Sequence, residues 1–305
     1  MPAHDHGHAH SHGASVGGRL TLALGLTLGF AFVEAVGGWI SGSLALLGDA
    51  GHMLSDSFAL GLAALAAWAI KQPPSFRHSY GFGRMEVVAA LVNALLMLGV
   101  VGGIAWAAIQ RFQAPPEVQG GTVMLIASVG LAINLLVAWI LGHGEQNLNI
   151  RGALLHVIGD LLGSVAALAS GAVIFFTGWM PIDPILALLV CGLILVSTVR
   201  LLRDTLHVVL EGVPFGIELP QVGRAMAEID HVRSVHDLHI WTLSSGSIAL
   251  SAHVVLDGLQ HWEGALEQLN GLLLEEFGID HTTIQPETGF HILHPGSPED
   301  AGRGD

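Results

Sequence analysis

Hydrophobic residues dominate the chain before residue 209, in stretches long enough to cross a lipid bilayer. A transmembrane helix needs about 20 apolar residues. Six stretches reach this length, and they lie at 17–41, 44–70, 84–111, 120–142, 152–177 and 184–207. Short polar or Gly/Pro-containing segments separate them. The pattern therefore predicts an α-helical membrane domain of six transmembrane helices over residues 17–208.

The hydrophobic pattern changes after residue 209. A helix is predicted at 218–229, strands at 233–243 and 248–256, a second helix at 260–276 and a third strand at 280–285. This order, αββαβ, is typical of a small α+β domain. We expect such a domain over residues 209–292, with a flexible tail at 293–305.

Composition agrees with a membrane protein. Of the 305 residues, 51% are hydrophobic and only 12% are charged, and the mean hydropathy is +0.61. Basic residues gather on one side of the predicted spans, whereas Arg111 alone falls on the other; the first group is Arg19, Lys71, Arg77, Arg84, Arg151, Arg200 and Arg203. Since cytoplasmic loops are rich in Lys and Arg, both termini should be cytoplasmic and the chain a multi-pass protein of the inner (plasma) membrane.

Charge and motif content exclude some partners. From residue 209 onward, 15 acidic residues face 3 basic ones, which argues against a nucleic-acid partner. The chain contains no Gly-rich Lys-Ser/Thr phosphate loop, so we expect no nucleotide. The single cysteine, Cys191, excludes an internal disulfide.

Two predicted spans each carry a histidine and an aspartate four residues apart. These pairs are His52 with Asp56 and His156 with Asp160. Residues at i and i+4 share one face of a helix, so two facing helices could offer two imidazoles and two carboxylates to one ion, a set that tetrahedral zinc accepts. An ionisable side chain in mid-bilayer costs about 2.5 to 3.5 kcal/mol, which favours a functional reason for the four. Asp49 lies on the same stripe, in an outer or a structural role.

Other polar residues in the spans and loops offer further contacts or ligands. Asn93 and Asn134 are candidates for hydrogen bonds between helices. Glu34, in the first span, could face a wet cavity or pair within the bundle. His78, in the loop after the second span, could be a metal ligand or an interfacial residue.

Histidines are also dense at both ends of the chain. The segment 1–16 has no apolar face and should be disordered; it carries His4, His6, His8, His10 and His12. We interpret it as a weak metal collector, with a solubilising tail as the alternative. In the first strand of the α+β domain, the odd spacing of His236 and His239 predicts that they point to opposite faces.

Four sequence motifs resemble the cation diffusion facilitator family, in particular its zinc-transporting bacterial branch. They are Leu46-Leu-Gly-Asp-Ala-Gly-His52-Met-Leu-Ser-Asp56, Tyr80-Gly-Phe-Gly-Arg-Met-Glu86, Asn147-Leu-Asn-Ile-Arg151-Gly-Ala-Leu-Leu-His156-Val-Ile-Gly-Asp160 and Val235-His-Asp-Leu-His-Ile-Trp241. The resemblance covers nearly the whole chain. It implies that the transport site consists of His52, Asp56, His156 and Asp160, and histidine at position 52 resembles the zinc-favouring variant.

The same resemblance implies more about the α+β domain. It implies a homodimer whose cytoplasmic domains are similar to a metallochaperone fold and bind regulatory zinc. The matching ligand positions are His236 and His253, with Glu287 as a third ligand. It also implies an interlock between Arg84 and Glu211.

The function that we predict is secondary active export of a divalent cation, Zn²⁺ above Cd²⁺ or Co²⁺, in exchange for protons. Metal ligands must be deprotonated to bind, and histidine has an ordinary pKa of about 6.5, so protons compete with the ion for the same atoms. The expected partners are divalent metal ions, protons, the lipid bilayer and a second copy of the chain. Two alternatives are an intramembrane zinc metallohydrolase and a metal sensor or chaperone that does not transport.

Overall fold

The computed structural model describes the backbone of residues 12–143, 148–244 and 246–289, and the side chains of these residues apart from 12–20, 148–153 and 155. His4, His6, His8 and His10 lie outside the described residues, and of His12 only the backbone is described. The chain divides into two compact units. One comprises 1–68 and 88–204, and the other comprises 69–87 and 205–305.

Six long helices form the first part of the chain. They are α1 (His12–Ser41), α2 (Leu44–Ile70), α3 (Met85–Gln113), α4 (Gly120–Gly142), α5 (Leu148–Thr177) and α6 (Ile182–Val209). Within the described residues, all six are long and apolar enough to cross a membrane. The six predicted spans are therefore confirmed, although α1 begins at His12 and not at residue 17, and α5 begins at Leu148 and not at residue 152.

Helices α4 and α5 pack closely because glycines lie where they cross. A Cβ atom on Gly171 would lie 2.6 Å from the backbone nitrogen of Met124, and one on Gly120 would lie 2.7 Å from that of Phe175. Small residues allow membrane helices to approach to backbone contact. The crossing fixes α5, which carries one of the two His-Asp pairs, against the rest of the bundle.

One buried carboxylate joins several helix ends. Asp183, at the start of α6, accepts hydrogen bonds from Ser43 Oγ and the Leu44 backbone N–H, both at 2.6 Å, and from Ser170 Oγ at 3.1 Å. Arg111 lies 3.4 Å from the same carboxylate and donates to the carbonyl of Gly42. Asp183 thus caps the first turn of α2 from another helix and ties α3, α5 and α6 to the turn between α1 and α2.

The remaining elements form an α+β domain. They are α7 (Leu219–Ala227), β1 (Val232–Ser244), β2 (Ser247–Leu256), a short 3₁₀ helix (Leu259–His261), α8 (Trp262–Phe277) and β3 (His281–Glu287). The sheet order is β1-β2-β3, with β1 antiparallel and β3 parallel to β2. The predicted αββαβ order is confirmed.

The helices of this domain cover one face of the sheet. Its core brings Val222 and Met226 of α7 and Leu269 and Leu273 of α8 against Leu250 of β2. Since side chains alternate along a strand, the other face of the sheet is free to carry polar groups. That face holds His236, His239 and His253.

The predicted interlock between Arg84 and Glu211 is present as an ion pair. Arg84 Nη2 lies 3.1 Å from Glu211 Oε1, and both residues belong to the second unit. Both side chains are largely exposed, so the pair contributes at most about 1 kcal/mol.

Candidate metal centres

The two His-Asp pairs of the spans converge on one point. His52 and Asp56 lie on α2, whereas His156 and Asp160 lie on α5. Across the helices, His156 Nε2 lies 3.3 Å from Asp56 Oδ2, and His52 Nε2 lies 3.9 Å from Asp160 Oδ1. Within the helices, the distances are 3.5 Å for His52 to Asp56 and 3.8 Å for His156 to Asp160. Zinc bonds of about 2.0 to 2.1 Å in a tetrahedron place neighbouring ligand atoms about 3.3 Å apart. One ligand atom each of His52, Asp56 and His156 lies within 4.8 Å of the others, and Asp160 lies just outside this group of three.

We call these four residues, His52, Asp56, His156 and Asp160, the span set. Asp160 is its most deeply buried member. Its side chain is 0% exposed, and neither carboxylate oxygen has a hydrogen-bond partner among the described residues. A buried carboxylate without a partner is strongly unfavourable, and it requires a proton or a cation. The other three side chains are partly exposed, so they are not sealed inside the bundle as Asp160 is.

Asp49 lies beside the span set without contacting its histidines in any described hydrogen bond or ion pair. It is buried on α2 and accepts a hydrogen bond of 3.4 Å from Ser164 Oγ on α5. Asn134 Nδ2 of α4 donates to the same hydroxyl at 3.1 Å. Asp49 therefore links α2 to α5 and α4, and Ser164, which continues the face of His156 and Asp160, serves this link.

Glycine makes room for the Asp49 carboxylate. A Cβ atom on Gly163 would lie 2.2 Å from Asp49 Oδ1, so no side chain fits there without displacing the carboxylate. The sequence offered no sign of this packing, since Gly163 is one of many glycines in the spans.

The other predicted amide, Asn93 of α3, accepts a hydrogen bond of 3.5 Å from Ser55 Oγ.

Glu34 is a second buried carboxyl group of the bundle. It lies on α1 at 0% exposure, and neither oxygen has a hydrogen-bond partner in the described part of the chain. The carboxylates that act on it electrostatically are those of Asp49 and Asp160. It is therefore buried within the bundle and does not pair with a described basic residue.

The α+β domain brings together His236, His253 and Glu287, which we call the sheet-face cluster. His236 on β1 and His253 on β2 are cross-strand partners, and Glu287 ends β3. Glu287 lies 2.7 Å from His253 Nδ1 and 3.0 Å from His236 Nε2. Hydrogen bonds from His253 and then from His236 lower the pKa of Glu287. An ionised carboxylate and two imidazoles together can hold one divalent ion.

The expectation that His236 and His239 point to opposite faces is wrong. His236 pairs with His253 and His239 pairs with Ser251, so three steps along β1 match two along β2. Asp237, at φ +49°, forms the bulge that takes up the extra residue. Cross-strand partners share a face, and His236 and His239 therefore lie on the same side of the sheet.

Asp237 is a residue of this face that sequence reasoning missed. Its carboxylate lies 3.0 Å from His239 Nε2 and 3.7 Å from His253 Nε2. The acid thus extends the sheet-face cluster towards His239. Only the bulge reveals this, because regular alternation would place Asp237 on the core side.

His78 belongs to neither the span set nor the sheet-face cluster. Its backbone bonds to Ser75, and its ring lies 4.7 Å from that of Phe82. Among the described residues, it belongs to no group of three metal-ligand side chains. His231, Asp257 and His261 do form such a group, although no local pattern in the sequence brings them together.

Six membrane-spanning helices that gather two imidazoles and two carboxylates at one point define a membrane protein that handles a metal cation. Comparison with known proteins specifies the family. The sequence profile of the cation efflux transmembrane domain matches residues 20–210, and that of the cation efflux protein cytoplasmic domain matches residues 214–289. The chain belongs to the cation efflux family. It is a transporter of metal cations and not an enzyme.

Similar proteins cover most of the chain. The zinc transporter ZitB of Escherichia coli (strain K12) is 45% identical over 272 residues, which are 88% of this chain and 87% of that protein. The cadmium, cobalt and zinc/H(+)-K(+) antiporter of Bacillus subtilis (strain 168) is 40% identical and covers 89% of each chain. The metal cation efflux system protein CzcD of Cupriavidus metallidurans is 41% identical over 88% of this chain and 85% of its own.

One similar solved structure covers a small part of the chain. The metal-bound C-terminal domain of the CzcD transporter is 39% identical, covers 23% of this chain and 99% of its own, and has a TM-score of 0.22. By name, these relatives are a zinc transporter, an antiporter and a metal cation efflux system protein, so the metallohydrolase and the non-transporting sensor find no support among them.

Proposed function

We propose that this chain exports zinc from the cytoplasm in exchange for protons, and that His52, Asp56, His156 and Asp160 bind the ion in transit. The observation that carries the proposal is that four side chains from α2 and α5 converge, and that one of them, Asp160, is a fully buried carboxylate without a hydrogen-bond partner among the described residues. Names of similar proteins support it, since one is a zinc transporter and another a zinc/H(+)-K(+) antiporter.

The ligand types favour zinc. Two imidazoles and two carboxylates in a tetrahedral arrangement suit Zn²⁺, whereas Mg²⁺ and Ca²⁺ prefer shells made only of oxygen. Cd²⁺ and Co²⁺ accept the same ligands and are the expected competing substrates. The antiporter from Bacillus subtilis carries all three metals in its name.

Proton exchange follows from the same atoms. Each imidazole binds a metal only through an unprotonated nitrogen, and each carboxylate binds it as an anion, so loading the ion releases protons. When the set opens to a more acidic side, protons return to the ligands and displace the ion. Asp160 then exchanges the metal ion for a proton, so it does not remain as an unpaired buried charge.

The proposal also covers the orientation in the membrane and the roles of the two ends of the chain. Basic residues flanking the spans favour cytoplasmic termini in the inner (plasma) membrane. We assign the sheet-face cluster of His236, His253 and Glu287 to regulatory zinc and the C-terminal domain to homodimer formation. The histidine-rich N-terminal segment remains a predicted weak collector.

A transport assay tests the central claim. Purified protein in proteoliposomes, with an imposed pH gradient and a zinc dye inside, should show zinc uptake that falls when the gradient is collapsed. Asp160→Ala should reduce uptake to that of empty liposomes, because the set loses its fully buried anionic ligand. Asp204→Ala is the matched control, since Asp204 lies on α6 and pairs only with the adjacent Arg203 among its described ion pairs. Near-normal uptake by Asp160→Ala at equal incorporation would overturn the site.

A further inference from the structure

A third group of metal-ligand side chains lies at one end of the β1–β2 pair. His231 immediately precedes β1, Asp257 immediately follows β2, and His261 ends the short 3₁₀ helix before α8. One ligand atom from each of the three lies within 4.8 Å of the others. The group is separate from the sheet-face cluster, since His253 and Asp257 are four residues apart along an extended strand, which corresponds to about 13 Å.

The two histidines face opposite oxygens of one carboxylate. His231 Nδ1 lies 3.1 Å from Asp257 Oδ2, and His261 Nε2 lies 4.0 Å from Asp257 Oδ1. The two imidazole rings are stacked, with centroids 3.6 Å apart and planes at 8°. Their nitrogens therefore converge on the same acid.

The backbone holds this arrangement in place. The Asp257 N–H donates to the carbonyl of His231 at 3.1 Å, directly beyond the pair formed by Val232 and Leu256. His231 has a φ of +68°, a left-handed conformation in which histidine is found more often than most residues. Three segments of the chain thus meet at the three side chains.

The charges of the group favour a cation. Two imidazoles and one carboxylate lie together here, and Asp257 supplies the acidic oxygens of the group. A neutral imidazole and a carboxylate are ligands for a divalent transition-metal ion.

We propose that His231, Asp257 and His261 form a second metal site of the C-terminal domain, for a divalent transition-metal ion that prefers imidazole ligands, such as zinc. Coordination requires the rings to turn out of their parallel stack so that both lone pairs meet one point. The side chains are 46%, 37% and 34% exposed, which leaves room for this rotation and for water as a further ligand. A bound ion would join the segment before β1, the end of β2 and the start of α8. This site lies outside the transport reaction proposed above.

Metal stoichiometry tests the proposal. The purified full-length chain, stripped of metal, is dialysed against buffered zinc, and bound zinc per chain is measured by mass spectrometry. The double variant His231→Asn/His261→Asn should bind one ion fewer than the wild type. Asp257→Asn should lose the same ion, although its amide oxygen can still accept a hydrogen bond from His231. The control is His281→Asn, because His281 is an exposed histidine of the same domain with no acidic partner among its described contacts. An unchanged zinc count in both the double variant and Asp257→Asn would overturn the site.

Hydrogen exchange supplies a second measurement that does not depend on transport. In the wild type, zinc should slow amide exchange in the segments around residues 231–232 and 257–262, because the ion joins them. In the double variant this protection should disappear, while protection near Glu287 persists. Equal zinc-dependent protection of these segments in both proteins would refute the proposal. Failure of zinc transport would not affect either result, so the two proposals can fail separately.

Discussion

The span set and the sheet-face cluster use the same kinds of ligands in opposite surroundings. In the span set, Asp160 is fully buried and its oxygens lie 3.8 to 3.9 Å from the two histidines, too far for a hydrogen bond. In the sheet-face cluster, Glu287 bonds to His253 and His236 at 2.7 and 3.0 Å beside solvent. The second set is already satisfied by its own members, whereas the first is not. The difference indicates that the span set depends on an ion or protons, while the sheet-face cluster can persist without a metal.

The largest expected effect comes from removing the charge of Asp160 without changing its shape. Asp160→Asn should lower zinc flux by about 100-fold or more, since losing one partner of a buried charged set costs about 3 to 5 kcal/mol. Flux in proteoliposomes is the measurement, with Asp204→Asn as the control. If Asp160→Asn lowered zinc flux no more than Glu287→Gln does, the proposed difference between the span set and the sheet-face cluster would be wrong.

The packing around Asp49 should give the next largest effect. Gly163→Ala places a methyl group against the Asp49 carboxylate, and overpacking of a buried site costs about 1 to 3 kcal/mol. We expect a lower unfolding temperature in detergent and a reduced zinc flux. Gly192→Ala is the matched control, because a Cβ atom on that glycine of α6 would meet nothing within 4 Å. Equal unfolding temperatures of the two variants would show that the Asp49 carboxylate can move away from the added methyl group, and would contradict the tight packing inferred here.

Neutralising the acid of the sheet-face cluster should have a smaller effect on transport. Glu287→Gln removes the carboxylate that contacts both His236 and His253, so zinc affinity at this cluster should fall by about tenfold or more. Zinc flux should stay within about twofold of the wild type at saturating zinc. Zinc titration and flux on the same preparation separate the two quantities. Complete loss of flux would mean that the cluster belongs to the transport path.

The smallest effect concerns stability at acid pH. Hydrogen bonds from His253 and His236 lower the pKa of Glu287, so their stabilising contribution is present above the ordinary carboxyl pKa of about 4.3. It is lost as pH falls through the lowered value in the folded protein. In metal-free protein, the difference in unfolding temperature between wild type and Glu287→Gln should therefore be present at pH 7 and shrink below about pH 4. Glu267→Gln, an exposed glutamate of α8, serves as the control. A difference that grows on acidification would contradict the assigned sign.

Local sequence patterns were sufficient for much of the architecture. The lengths of the apolar stretches predicted the six spans, and alternation with turn residues predicted the αββαβ domain, because both patterns reflect neighbours along the chain. The spacing of four residues also predicted that His52 and Asp56 share a helix face, as do His156 and Asp160. The structure places these two faces opposite each other.

The tertiary structure alone decided the contacts between distant residues. Asp183 caps a helix that begins 139 positions earlier in the chain, which no local pattern predicts. The bulge at Asp237 turned His239 to the face of His236, because the extra residue in β1 reverses the alternation of the strand. His231 and His261 come together only because the ends of β1 and β2 pair. The sequence by itself therefore determined the helices, the strands and the two helix faces that carry the span set, since these depend on periodicity. The contacts that support that set and the other candidate metal centres depend on long-range packing, which periodicity does not encode.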